Sequence, residues 1–160
     1  MIITRIEPVI VHVSERGDWV FVQVYTDDGL VGLGEASHGQ NDGLVVAALR
    51  QCEVRLRGRD PREISLLASL LHSAEAGRAV QTAHSAVEQA LWDLLGQSLG
   101  VPIRTLLGGA RRDRIRLYAN INRHVRDRSP AGFARAAAAA VAEGYTAVKL
   151  APFDELREPD

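Results

Sequence analysis

Near Asn41 the hydrophobic period of this chain changes from two to 3.6, and that change restricts its fold more than any other feature. Before it, in "DWVFVQVYTDDGLVGLGEA", Val20, Val22 and Val24 alternate with Trp19, Phe21 and Tyr25, which puts the two sets on opposite faces of a strand. Asp28-Gly29 lies between two such runs and reads as a hairpin turn, since glycine accepts the positive φ a tight turn requires. With residues 2–13 these runs predict a small antiparallel meander. After the change, Val45, Leu49, Cys52 and Leu56 fall at i, i+4, i+7 and i+11, one stripe of a helix. Asp60, Pro61 and Glu63 read as an N-cap, a first-turn proline and a capping-box partner, so a second helix is expected to start there and bury Ile64, Leu67, Ala68 and Leu71. A third helix runs through "AHSAVEQALWDLLGQSL" and stops at Gly100, with Pro102 beyond it.

Past Gly108-Gly109 and the basic run Arg111, Arg112 and Arg114, best read as a solvated linker, period two returns. "IRLYANI" and "YTAVKLA" read as strands on either side of an alanine-rich helix that Ser129-Pro130 begins and Gly144 ends. One helix between two strands is a β-α-β unit, so the strands are expected to be parallel. Two parallel strands and a helix leave apolar faces uncovered, so this tail is expected to be loose unless further elements pack on it. The expected domains are therefore residues 1–110, an α+β unit of meander plus three helices, and 111–160, an incomplete second unit.

Composition excludes several classes of function. A net charge of −1, from 19 basic and 20 acidic residues, makes no field that would gather nucleic acid or an anionic membrane. No apolar run approaches the roughly 20 residues of a membrane helix. The opening "MIITRIEPVIVHV" is interrupted by Arg5, Glu7 and Pro8, unlike a signal peptide, and the single Cys52 cannot form an internal disulfide. A cytoplasmic protein is expected.

The run "AHSAVEQALWDLLGQSLGVPIRTLLGG", Ala83 to Gly109, resembles the signature of the mandelate racemase and muconate lactonizing group of the enolase superfamily through Ala83, Ser85, Ala86, Val87, Glu88, Ala90, Leu91, Asp93, Leu94, Gly96, Gln97, Pro102, Ile103, Leu106, Leu107 and Gly108. The order around it is similar too: a meander ending in "GLGEA", three helices, then a strand, a helix and "AVKLAPFD". The resemblance implies a capping domain followed by the first two strands of a modified TIM-type (β/α)-barrel. It also implies Mg²⁺ bound to a substrate carboxylate, an enediolate stabilised by the metal, and a lysine or histidine that removes the α-proton. The metal ligands of the group are carboxylates on the third, fourth and fifth barrel strands, so no acid of this chain is assigned as a ligand.

Within that resemblance Lys149 stands at the end of the second barrel strand, where the group often carries Lys-x-Lys; here the second lysine is replaced by Ala151. The second lysine usually acts as base. Lys149 is therefore expected to hold the substrate carboxylate and stabilise negative charge, with the base on a later strand; the plain alternative is a solvated strand-end lysine. Asn120 and Asn122 flank Ile121 at the end of the first barrel strand, on one face by period two, as substrate contacts or as loop hydrogen bonders. His38 in "SHGQND" and Arg16 in "SERGDW" lie in loops that in the group close over the barrel mouth, and both are candidate substrate contacts. Glu88 and Asp93 are expected to be structural. The resulting expectation is the N-terminal part of a Mg²⁺-dependent sugar-acid or hydroxy-acid dehydratase with a small carboxylate as substrate, expected to form a homo-oligomer. A racemase, epimerase or cycloisomerase of the same group is the enzymatic alternative, and an inactive truncated fragment that only packs or associates is the other.

Overall fold

The computed structural model describes residues 1–14, 17–37, 41–72, 76–122 and 125–153. The chain divides into two compact units, Met1–Ala110 and Arg111–Asp160. The first opens with the expected meander: β1 (Ile3–Ser14), β2 (Gly17–Thr26) and β3 (Val31–Glu35) pair antiparallel in sequential order. The turn at Gly29 has φ +88°, and a Cβ there would meet nothing within 4 Å, so conformation alone selects glycine. Val20, Val22 and Val24 are wholly buried while Trp19 is half exposed, as the alternation requires. Each of these valines contributes about 1.5–3 kcal/mol by leaving water.

Three helices follow; the first and third pack on this sheet, and the second packs on those two helices. In α1 (Asp42–Leu56) the stripe Val45, Leu49, Cys52 and Leu56 is buried. Helix α2 (Ile64–Leu71) begins at Ile64 with Glu63 as its N-cap, later than Asp60 had suggested. The Asp60 carboxylate accepts from the Arg62 backbone N–H at 2.9 Å and from the Arg62 guanidinium, closing a turn of its own before any helical bond forms. Arg62 thus satisfies Asp60 locally, and Asp60 is held well below the usual carboxylate range, at about 2, by that partner. Ile64, Leu67 and Leu71 face the core, and Ala68 is half-buried.

Helix α3 (Arg78–Leu99) starts five residues ahead of Ala83 and ends where expected: Gly100 has φ +68°, and Val101 N–H donates back to the Gly96 carbonyl at 3.0 Å. Its buried stripe is Ala83, Ala86, Val87, Ala90, Leu91 and Leu94. Two residues of that stripe, Ala86 and Ala90, meet the sheet through their backbone. A Cβ on Gly34 would lie 1.9 Å from the Ala86 carbonyl oxygen, and one on Gly32 would lie 2.2 Å from that of Ala90. Helix and strand are therefore in backbone contact, and only glycine on the strand allows it. The outer edge of β3 is closed by the same helix. Leu33 N–H donates to Asp93 Oδ2 at 2.9 Å, Glu35 N–H to Gln89 Oε1 at 3.2 Å, and Gln97 Nε2 donates to the Val31 carbonyl at 2.8 Å. Gln89, Asp93 and Gln97 recur every four residues, one line on the helix, and they occupy the hydrogen-bonding groups of an otherwise open sheet edge. A short helix, α4 (Ile103–Leu106), follows Pro102.

In the second unit β4 (Ala119–Asn120) and β5 (Val148–Lys149) are parallel, joined through α5 (Pro130–Ala142). Ser129 Oγ accepts from Gly132 N–H at 3.1 Å with Pro130 in the first turn, and Gly144 follows the helix at φ +95°. The regular strands are two residues long, shorter than "IRLYANI" and "YTAVKLA" suggest. A ladder lengthens only while a neighbour continues it, and among the described residues each strand has one neighbour. Ile121, Val125, Phe133 and Ala140 form a small separate core. Leu117 at 69% and Phe153 at 72% exposure show how little of the remaining apolar surface is covered. Among the described residues no helix is long and apolar enough to cross a membrane.

Candidate functional site

The register of the parallel pair decides which side chains meet. Ala119 N–H donates to the Ala147 carbonyl at 3.0 Å and Ile121 N–H to the Lys149 carbonyl at 3.1 Å, which sets Asn120 beside Lys149. Ala119, Ile121 and Val148 belong to the core against α5, so by alternation Asn120, Asn122, Lys149 and Ala151 share the opposite face. The three candidates from this unit are thus brought together at the C-terminal ends of the strands. Lys149 and Asn120 are exposed, and the Lys149 ammonium lies 6.0 Å from the centre of the Tyr118 ring, at the limit of a cation–π contact.

Asn122 is differently placed. It is half-buried, and its Oδ1 accepts from Ala151 N–H at 3.1 Å, joining the ends of β4 and β5. Asn120 Oδ1 accepts from Asn122 N–H at 3.2 Å. Arg128 completes the group: it donates to the Asn122 carbonyl at 3.1 Å and to the Ala151 carbonyl at 2.8 Å. Nothing in "HVRDRSP" marks Arg128, since its partners are distant in sequence and only the turn into α5 delivers it. At the other end of the pair Arg116 donates to Thr146 Oγ1 at 3.1 Å and to the Thr146 carbonyl at 2.9 Å. A cation and an amide on an open sheet face can hold a carboxylate by charge-assisted hydrogen bonds. The same set of one ammonium and two amides does not suit a divalent cation, which takes anionic oxygen ligands. Among the described residues no three His, Cys, Asp or Glu side chains stand together as a metal site.

His38 and Arg16 lie outside the described residues. Asp93 serves the β3 edge, as a structural residue would. Glu88 lines a cleft of about 320 Å³ between α2 and α3 together with His72, Gln81, His84 and Ser85. Burial, and then the nearby Arg55 and His72, push the His84 pKa below its ordinary value.

The family model for the mandelate racemase / muconate lactonizing enzyme N-terminal domain matches residues 4–108. A D-gluconate dehydratase of Thermoproteus tenax is 39% identical over 160 residues, covering 94% of this chain and 32% of that protein. A D-galactonate dehydratase of Verminephrobacter eiseniae is 38% identical over 126 residues, covering 72% of this chain and 33% of that protein. Among solved structures, a mandelate racemase/muconate lactonizing enzyme from Jannaschia sp. CCS1 has a TM-score of 0.80 at 33% identity, with 94% of this chain and 43% of that one covered. The chain spans 32% and 33% of the length of the two dehydratases.

Proposed function

This chain belongs to the mandelate racemase / muconate lactonizing enzyme family of the enolase superfamily, and on that premise we propose that the complete protein is a dehydratase of sugar acids. The single observation that carries the reading within this chain is the exposed Lys149 ammonium, set beside Asn120 at the C-terminal end of a parallel pair. The names of the relatives, dehydratases of D-gluconate and D-galactonate, support a polyhydroxy carboxylate as substrate. The second unit, with its uncovered apolar side chains, is the first β-α-β unit of a (β/α)-barrel in this reading.

In the reaction the C–H electron pair beside the carboxylate becomes a C=C bond, the α-proton goes to a base, and the β-hydroxyl takes a proton from a general acid and leaves as water. Lys149 holds the carboxylate and opposes the negative charge that grows on it as the proton leaves. Asn120 orients the same group by hydrogen bonding. Ala151 offers no proton acceptor, so the base comes from another strand, which favours one-sided abstraction and loss of water over racemisation. Mg²⁺ is the expected cofactor of the complete protein. The Asn120, Asn122 and Lys149 set, one ammonium and two amides, does not fit it.

The test is kinetic. In the complete protein Lys149→Met is expected to lower kcat by about 10²-fold, the scale for losing one transition-state stabiliser. Lys149→Arg, which keeps the charge, is expected to retain part of the activity. Turnover of sugar acids by the methionine variant at the wild-type rate would reduce Lys149 to a solvated surface group.

A further inference from the structure

The regular β4–β5 ladder joins two residue pairs, too few to hold the strand ends in one place, yet the Ala151 amide and carbonyl beyond Lys149 are tied down. One guanidinium accounts for much of this. Arg128 Nη1 donates to the Asn122 carbonyl at 3.1 Å, while Nη2 donates to the Ala151 carbonyl at 2.8 Å and lies 3.4 Å from Asn122 Oδ1. Asn122 Oδ1 in turn accepts from Ala151 N–H. The guanidinium carbon stands 5.2 Å from the centre of the Phe133 ring, and Phe133 is buried in the core on α5. Arg128 therefore links the end of β4, the end of β5 and the helix that packs beneath both.

We propose that Arg128 is a positioning residue for Lys149: its guanidinium fork fixes the residues that follow Lys149 and so the place of the ammonium beside Asn120. This rests on the role given to Lys149 above. Ala151 lies two residues past Lys149, so freeing its backbone lets β5 swing away from β4 at the point where the ammonium must meet the substrate. The acceptors are two carbonyls past the ends of different strands, and the rigid planar fork spans them from two nitrogens, whereas a lysine offers one flexible nitrogen. The bonds are charge-assisted and half-buried, which makes them stronger than exposed neutral ones.

A double-mutant cycle in the complete protein tests this. Arg128→Lys keeps the charge and loses the fork; it is expected to lower kcat/KM by about 10²-fold, the scale of a displacement near 1 Å in a reacting group. If Arg128 acts through Lys149, Lys149→Met with Arg128→Lys is no slower than Lys149→Met alone, within about threefold. Asn122→Ala removes one acceptor, is milder in its effect on folding, and is expected to show the same non-additivity. Hydrogen exchange should show a faster Ala151 amide in Arg128→Lys and an unchanged Leu33 amide in the first unit. Wild-type activity in Arg128→Lys, or losses that multiply with that of Lys149→Met, would overturn the positioning role and leave Lys149 in place. Wild-type activity in Lys149→Met would overturn the reading of Lys149 and this proposal with it.

Discussion

Gly34→Ala puts one methyl group where helix and strand already touch. The added Cβ would stand 1.9 Å from the Ala86 carbonyl oxygen, 2.9 Å from its carbon and 3.2 Å from Val22 Cγ1. Ordinary contact begins near 3.4 Å, so β3 and α3 must part by more than 1 Å, and the nearest atoms are backbone that cannot rotate aside. Overpacking of this kind costs about 1–3 kcal/mol. The separation also stretches the bond from Leu33 N–H to the Asp93 carboxylate, and a hydrogen bond to a charged group contributes roughly 1.5–3 kcal/mol. The two effects share one displacement and do not simply add, so a loss of about 3 kcal/mol is expected. For a unit of this size that lowers Tm by roughly 12 °C or more. The assay is thermal and urea unfolding followed by circular dichroism. Gly43→Ala is the control: Gly43 lies in α1, a Cβ there meets nothing within 4 Å, and the change should stabilise by about 0.5–1 kcal/mol. A Gly34→Ala protein that melts within about 2 °C of wild type would refute the account of the β3–α3 contact.

Two further outcomes concern titratable groups in the first unit. The His84 pKa is lowered on folding, so its contribution to stability is full above the ordinary value of 6.5 and is lost as pH falls through the folded value, where the charged ring meets burial, Arg55 and His72. The urea midpoint should fall between pH 7.5 and 5, and His84→Gln should flatten that part of the profile. Cys52 is buried with its thiol pushed up to about 11, so a thiol reagent at pH 8 should leave it unmodified in the folded chain and label it rapidly in urea.

Much of the first unit is legible from single residues because its signals are local. Alternation at Val20, Val22 and Val24, the stripe from Val45 to Leu56 and the left-handed Gly100 each depend on geometry that repeats within a few residues, and each is where the pattern puts it. The run from Ala83 to Gly109 carries the family resemblance for the same reason, as most of α3, its glycine cap and the short α4 that follows. What Asp93, Gln89 and Gln97 do is not local. They close the edge of β3, and that role exists only once α3 lies along the strand. The glycines of "GLGEA" likewise make sense only against Ala86 and Ala90. Asp60 shows the converse, a local signal that fails: the helix-start pattern was present, but Arg62 satisfied the carboxylate first and the helix began at Ile64. In the second unit the sequence places Asn120, Asn122 and Lys149 at strand ends, and packing gives them different tasks, leaving Asn120 and Lys149 exposed and drawing Asn122 into the bonds with Ala151 and Arg128. Spacing along one strand predicts a shared face. Which side chain on that face is spent on holding the backbone depends on where a distant guanidinium arrives, and only the tertiary structure decides that.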